Sequence, residues 1–153
     1  MDTGFDLEQL LEEGNQIRVK PQGYSMYPLL VPGRDEVVIE QEDPSRLHRG
    51  DIVLFRREGS ILVLHRICRR RGDDFFMVGD NQKQIEGPIG ITQIKGKVTT
   101  VIRGGRTISV ENRLYRMYNF IWLWLRPLRP ILSKMVHYLK TLFRGKKGLH
   151  NHL

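Results

Sequence analysis

Apolar and polar positions follow two different periods along this chain. Residues 5–14 read FDLEQLLEEG, and their apolar side chains fall on one side of a helix that Gly14 can end. From residue 17 to residue 110, the apolar residues instead form short runs bounded by glycine, proline or charged residues. The pattern therefore predicts one short helix followed by a β-rich region.

The candidate strands of the β-rich region lie close together in the sequence. Glu-Gly-Ser at 58–60 separates two of them, and Gly104-Gly105 separates another two, as in β-hairpins. No strand–helix–strand alternation is visible. We therefore predict a mainly β fold, a small curled antiparallel sheet or barrel. The candidate strands are residues 17–20, 36–40, 50–57, 61–70, 74–81, 95–103 and 106–110.

Composition and period both change near residues 111–116, which predicts a β domain at 1–112 and an amphipathic helical tail at 113–153. Nine lysines and arginines follow Glu111, and no acidic residue does. Residues 1–112 carry the other 16 cations and all 17 acidic residues. The net charge of +8 therefore belongs to the tail, where Pro127 and Pro130 interrupt any single helix.

The tail combines tryptophan and tyrosine with cations, a composition that suits the boundary between water and lipid. We predict a peripheral membrane segment over residues 117–147, on the cytoplasmic face because cations beside a membrane segment favour that side. The alternative is a helix packed on the domain or on a second copy, in a cytoplasmic protein. Nucleic acid is not expected as a partner, because the aromatic residues form one apolar block rather than alternating with cations.

Other targeting and binding signals are weak. The acidic N-terminus does not read as a secretory signal, and no run reaches the roughly 18 apolar residues of a spanning helix. Cys68 is the only cysteine, so no internal disulfide can form. We expect no cofactor and no metal, and the three tail histidines lack the spacing of metal ligands.

Ser25 is the first candidate for chemistry, in the stretch GYSMYPLL at residues 23–30. Gly23 permits backbone shapes closed to other residues, and Pro28 restricts the chain just after the serine. These residues could present the hydroxyl at the rim of a sheet, where a nearby base could activate it. The same residue types are also common in plain turns.

His65 is the candidate base. In a strand it shares one face with Val63 and Ile67, while Leu64 and Arg66 face the other way. A half-buried imidazole stays neutral near pH 7, which is the state that a general base requires. The competing interpretation is a core histidine bonded to a backbone carbonyl.

Two aspartates could support that base. Asp80 follows a candidate strand in the segment Gly79 to Asn81 and could orient His65, as in a catalytic triad. Equally, Asp-Asn after glycine is ordinary turn chemistry. Asp51 is the second candidate, and the alternative is that it only stabilises the turn before its own strand.

Taken in order, these segments resemble the sequence boxes of the type I signal peptidases and their wider serine peptidase superfamily. GYSMYPLL is similar to the nucleophile box Gly-x-Ser-Met-x-Pro of that family. The resemblance covers about residues 17–103 of this chain. The segments similar to later boxes are RGDIVLF at 49–55, HRI at 65–67, VGDN at 78–81 and ITQIKGKV at 91–98.

The base position separates two branches of that superfamily. The common bacterial branch uses a lysine, but residues 47–82 contain none, and His65 precedes Arg66. This resembles the endoplasmic-reticulum and archaeal branch, which uses serine, histidine and aspartate. The resemblance implies Ser25 as nucleophile, His65 as base and Asp80 as supporting acid.

By the same resemblance, the chain is a serine endopeptidase that cleaves a signal- or leader-like segment through an acyl-enzyme. The Ser25 backbone N–H would donate to the oxyanion, and Gly23 stands where many relatives place a serine as second donor. Met26 would pack beneath the nucleophile, near the small side chains of a substrate, or simply fill the core. The alternative function is a catalytically inactive peptide-binding module of the same fold.

Overall fold

The computed structural model describes residues 3–58 and 61–128. Its elements follow the sequence pattern closely, because each apolar run is bounded by a turn residue. The helices are α1 (Thr3–Glu12) and α2 (Arg113–Trp124), with 3₁₀ turns at Pro44–Arg46, Ile91–Gln93 and Arg126–Leu128. The strands are β1 (Ile17–Val19), β2 (Asp35–Glu40), β3 (Ile52–Arg56), β4 (Leu62–Arg71), β5 (Asp74–Val78), β6 (Glu86–Ile89), β7 (Ile94–Arg103) and β8 (Arg106–Ser109).

Within the described part of the chain, these eight strands form one antiparallel sheet in the order β1-β2-β7-β3-β4-β5-β6. β8 pairs with the second half of β7, on the edge that β3 leaves free after Lys97. The mainly β prediction is confirmed. The predicted curled sheet or barrel is wrong, because the short strands β1 and β6 end the sheet at two separate edges and do not pair.

Both predicted hairpins form as antiparallel pairs. β3 pairs with β4 across residues 58–60, of which 59 and 60 lie outside the described residues. Gly104 and Gly105 join β7 to β8 with φ values of 55° and 75°. Two consecutive positive φ angles give the tight turn that matches strand twist, and glycine adopts them without strain. The strand β6 was not predicted.

Alternation along the strands creates a cluster of buried apolar side chains on each face of the sheet. Along β3, Ile52 and Leu54 join the first cluster, whereas Val53 and Phe55 join the second. Other members of the first cluster are Leu11, Ile17, Met26, Leu30, Val37, Ile39, Val98 and Val101. The second cluster also contains Leu47, Ile67, Phe75, Met77 and Ile89.

Asp35 anchors the segment that leads from the candidate serine into β2. Its buried carboxylate accepts hydrogen bonds from the Val31 N–H (2.8 Å), from Arg34 (2.7 Å) and from Arg103 (2.7 Å). Arg103 also donates to the Leu29 carbonyl at 2.7 Å. Burial alone would raise the pKa of Asp35, but these hydrogen bonds outweigh it and lower the pKa to about 2. The charged carboxylate therefore fixes this segment against β7.

Contacts divide the chain into two compact units, Met1–Phe120 and Ile121–Leu153, so that α2 crosses the division. α2 ends at Trp124, shortly before Pro127, as expected for a residue that cannot continue a helix. None of the helices among the described residues is both long and apolar enough to cross a lipid bilayer. Residues 129–147 of the predicted membrane segment lie outside the described residues.

Candidate functional site

Ser25 lies in a tight turn after β1, and its side chain is partly exposed. Backbone hydrogen bonds close the turn, from Tyr27 N to Tyr24 O (3.1 Å) and from Leu30 N to Met26 O (2.9 Å). Met26 is buried in the first cluster and pins the turn to the sheet. The base of the turn is therefore held in place, while the serine itself remains near solvent.

Gly23 has a φ of 75°, and a Cβ built there would meet nothing within 4 Å. The positive φ explains glycine at this position, because other residues adopt that conformation only with strain. The open space means that Gly23 contributes only backbone groups to the site. No side-chain donor stands where the resemblance implies a second oxyanion donor.

The backbone of Ser25 rests on the turn after β5. Its carbonyl accepts a 2.7 Å hydrogen bond from the Asn81 N–H. A Cβ built on Gly79 would stand only 2.7 Å from the same carbonyl oxygen, closer than real Cβ atoms approach. The lack of a side chain at Gly79 therefore leaves room for the Ser25 backbone. The sequence segments 23–30 and 78–81 meet at this contact.

His65 lies on β4 opposite Val53 of β3, with only 1% of its surface exposed. The ladder between β4 and β5 pairs Arg66 with Val78, so one step further in this register Gly79 stands opposite His65. Directly opposed residues point to the same face of a sheet. Because Gly79 directly follows the last paired residue of β5, its contact with the Ser25 carbonyl places the Ser25 turn at the end of the strand beside β4.

Glu86, at the start of β6, is the carboxylate beside His65. His65 Nδ1 lies 3.1 Å from Glu86 Oε1, although no described group makes a well-aligned hydrogen bond to that nitrogen. Arg57 donates to both oxygens of Glu86, at 2.7 Å and 2.5 Å. A bidentate arginine gives the carboxylate a defined position. Glu86 is therefore the fixed negative charge beside the Nδ1 side of the imidazole.

The electrostatic environment keeps His65 neutral. Burial lowers the pKa of His65, and the Arg57 cation adds to this effect, while the charges of Glu86 and Asp80 oppose it. The net result is a pKa below the ordinary value of 6.5. A proton on Nδ1, the nitrogen beside Glu86, would leave the lone pair of the neutral ring on Nε2, the nitrogen that could accept a proton.

Asp80 forms a buried bidentate ion pair with Arg66. Arg66 Nε donates to one carboxylate oxygen at 2.8 Å and Nη2 to the other at 2.7 Å, with both side chains fully buried. Arg66 also donates to the Gly50 carbonyl at 2.7 Å. Through Arg66, Asp80 therefore links the turn under Ser25 to β4 and to the turn before β3.

Asp51 has a local role in the structure. Its carboxylate accepts a 2.8 Å hydrogen bond from the His48 N–H, and its carbonyl accepts one from the Ile67 N–H. Lys97 Nζ lies 3.5 Å from the carboxylate. These contacts stabilise the turn before β3.

Sequence reasoning missed Glu86 and Arg57. Glu86 carries one recognisable signal, since it is the only acidic residue between residues 81 and 110. Its contact with His65 depends on the pairing of β5 with β6, which sets Glu86 opposite Met77. No local pattern predicts that pairing, because β6 contains Gly87 and Pro88 and does not resemble a strand.

No model of a known protein family matches this chain, and no curated protein sequence matches it significantly. What the site can do must therefore be argued from its own geometry.

Replacing Gly79 by alanine is expected to destabilise the protein by about 1–3 kcal/mol, because the new methyl group would displace the Ser25 carbonyl. The matched control is Gly90→Ala, where the nearest atom would lie at an ordinary 3.7 Å. Urea denaturation measures both variants. Equal stability of the two variants would contradict the close packing of Ser25 on Gly79.

Proposed function

We propose that this protein is a serine endopeptidase of the signal-peptidase type, with Ser25 as nucleophile and His65 as general base. The proposal includes the finer fold assignment, a β domain related to that of the signal peptidases. The observation that supports it is the packing of the Ser25 backbone against Gly79, directly after β5, which pairs with the strand of the buried His65. An exposed histidine elsewhere on the sheet could not serve as the base for Ser25.

In the proposed reaction, His65 Nε2 takes the proton of the Ser25 hydroxyl as Oγ attacks the carbonyl carbon of a peptide bond. A C–O bond forms, and the negative charge moves to the carbonyl oxygen. The C–N bond then breaks, and His65 returns the proton to the leaving amine. Water hydrolyses the resulting ester by the same steps in reverse and releases Ser25.

The 3.1 Å separation supports Glu86, rather than Asp80 alone, as the acid that orients His65. A carboxylate at Nδ1 selects the useful tautomer and stabilises the imidazolium that forms during proton transfer. Asp80 was the acid implied by resemblance. Its ion pair with Arg66 supports a different contribution, which is to position the turn on which Ser25 rests.

The developing oxyanion requires preorganised donors. The Ser25 N–H is the donor proposed from the sequence, and Gly23 can add a backbone group but no hydroxyl. Met26 lies in the first cluster, so we propose that it supports the turn from below and bounds the pocket for a small substrate side chain. The proposed substrate is an extended polypeptide, and no cofactor takes part.

Reaction with a fluorophosphonate probe tests the proposal without knowledge of the substrate, since such probes phosphonylate activated serines. The parent protein is expected to be labelled at Ser25, as located by peptide mass spectrometry. Ser25→Ala should lose the label, and His65→Asn should react at least about 100-fold more slowly, because the base is removed. Ser45→Ala, at an exposed serine, is the matched control and should react like the parent.

One observation favours a second function, a peptide-binding module without catalysis. The site lacks a side-chain donor at Gly23, yet Tyr24 and Tyr27 beside Ser25 form an exposed aromatic pair with ring centroids 6.4 Å apart. Such rings bind extended peptides well. A parent protein that binds peptides but remains unlabelled at Ser25 would exclude the peptidase and favour this module.

A further inference from the structure

The outward side of α2 is unusually apolar. Its exposed apolar side chains are between 42% and 70% accessible, and they are Leu114, Met117, Tyr118, Phe120, Ile121 and Trp124. Spacings of three and four residues place them on one continuous arc of the helix surface. We call this set the α2 outer face.

The buried side of the same helix contains fewer apolar side chains than the exposed side. Asn119 and Leu123 are buried, and Tyr115 is partly buried against the first cluster. An ordinary surface helix has the opposite arrangement, with its apolar stripe inward and polar residues outward. An exposed apolar patch of this size usually marks a surface that another partner covers.

Charge identifies the kind of partner. Arg113 and Arg116 are exposed beside the α2 outer face, and Glu111 is the last acidic residue of the chain. Arg116 lies 3.8 Å from Glu111, but that pair is exposed and therefore contributes little. An apolar face with tryptophan, tyrosine and flanking arginines matches a membrane interface, where rings sit at headgroup level and cations meet anionic lipids.

A second copy of the chain fits this face less well. A parallel pairing of two such helices would bring their arginines together, and α2 itself contains no acidic residue to neutralise them. Negatively charged headgroups would neutralise the same arginines.

We propose that the α2 outer face binds the surface of an anionic lipid bilayer, with the helix lying in the interface and its apolar side chains inserted among the acyl chains. This inference does not depend on the proposed peptidase activity. The first turn of α2 also adjoins the support of the Ser25 turn, because Tyr115 packs against the first cluster, to which Met26 belongs. A bound helix would therefore keep the Ser25 turn near the lipid surface.

Vesicle flotation with the full chain tests the proposal. The parent protein is expected to float with phosphatidylcholine vesicles that contain phosphatidylglycerol, and to float less with phosphatidylcholine alone. The triple variant Met117→Ser/Ile121→Ser/Trp124→Ser should bind at least about 10-fold more weakly, because it loses much of the inserted apolar area. Arg113→Gln/Arg116→Gln should weaken the preference for anionic vesicles without abolishing it, because seven further cations follow α2.

The matched control is Leu10→Ser/Ile61→Ser, which removes two exposed apolar side chains outside α2 and should float like the parent. If the triple variant does not fold by circular dichroism, the single variants Met117→Ser and Trp124→Ser serve instead. Flotation of those variants equal to that of the parent would overturn the proposal. So would a parent that fails to float and forms a dimer in light scattering, since a second copy would then cover the α2 outer face.

Discussion

Glu86→Gln is expected to slow the labelling of Ser25 by a fluorophosphonate on the order of 10⁴-fold, while the protein remains folded. Glutamine has the shape of glutamate but no charge, so it cannot stabilise an imidazolium at His65. It can also present its amide nitrogen to Nδ1, which would favour the wrong tautomer. Arg57 would keep one of its two hydrogen bonds to the side-chain oxygen.

The pH profile provides a second readout of the same substitution. His65 must be neutral to act as a base, so the labelling rate should fall as pH drops through its pKa. Because burial lowers that pKa, the fall should occur below pH 6.5 in the parent. The charge of Glu86 raises the pKa of His65. Glu86→Gln should therefore move the fall in labelling rate to still lower pH.

Glu12→Gln is the matched control, at an exposed glutamate of α1, and should leave both rate and profile unchanged. A Glu86→Gln protein that reacts at the parent rate would show that Glu86 does not orient His65. A normal rate with a shifted profile would mean that Glu86 acts on His65 only through its charge.

Asp80→Ala is expected to lower the free energy of unfolding by about 3–5 kcal/mol. The substitution would leave the Arg66 guanidinium buried and charged without its carboxylate, and a buried arginine cannot lose its proton to relieve this cost. Urea denaturation of the parent and the variant measures the difference.

The double variant Arg66→Met/Asp80→Leu distinguishes the ion pair from the loss of packing. Replacing both charges by apolar groups removes the uncompensated charge, so the double variant should recover much of the lost stability. The Gly50 carbonyl would still lose its donor, and recovery should therefore be incomplete. If Asp80→Ala keeps the stability of the parent but abolishes Ser25 labelling, Asp80 acts on the chemistry and not on the position of the turn.

The secondary structure was largely predictable from local patterns. The alternation in residues 61–70 predicted which side chains of β4 share a face, and the structure buries His65 and Ile67 on one side and Arg66 on the other. Glycine pairs marked a hairpin because few other residues tolerate two positive φ angles in succession. The open edges of the sheet were not predictable, since closure depends on whether the first and last strands are long enough to pair.

The candidate site was predictable only in part. Ser25 and His65 were proposed because the segments that contain them resemble, in order, the sequence boxes of the signal peptidases. Asp80 was assigned as the acid partner from the sequence, and Glu86, which also follows β5, was missed. The pairing of β6 with β5 brings Glu86 to His65, while the bidentate geometry of Arg66 occupies both oxygens of Asp80.

The sequence by itself determined most of the strands, the side chains that each of these presents to each face, and the concentration of positive charge after Glu111. These properties depend on residues near one another in the chain, through backbone preference and apolar periodicity. Only the tertiary structure decided that Gly79 makes room for the Ser25 backbone, that Glu86 approaches His65, and that α2 turns its apolar side outward. Each of these depends on how segments distant in the sequence pair and pack. The fit of side chains and the pairing of buried charges select that arrangement.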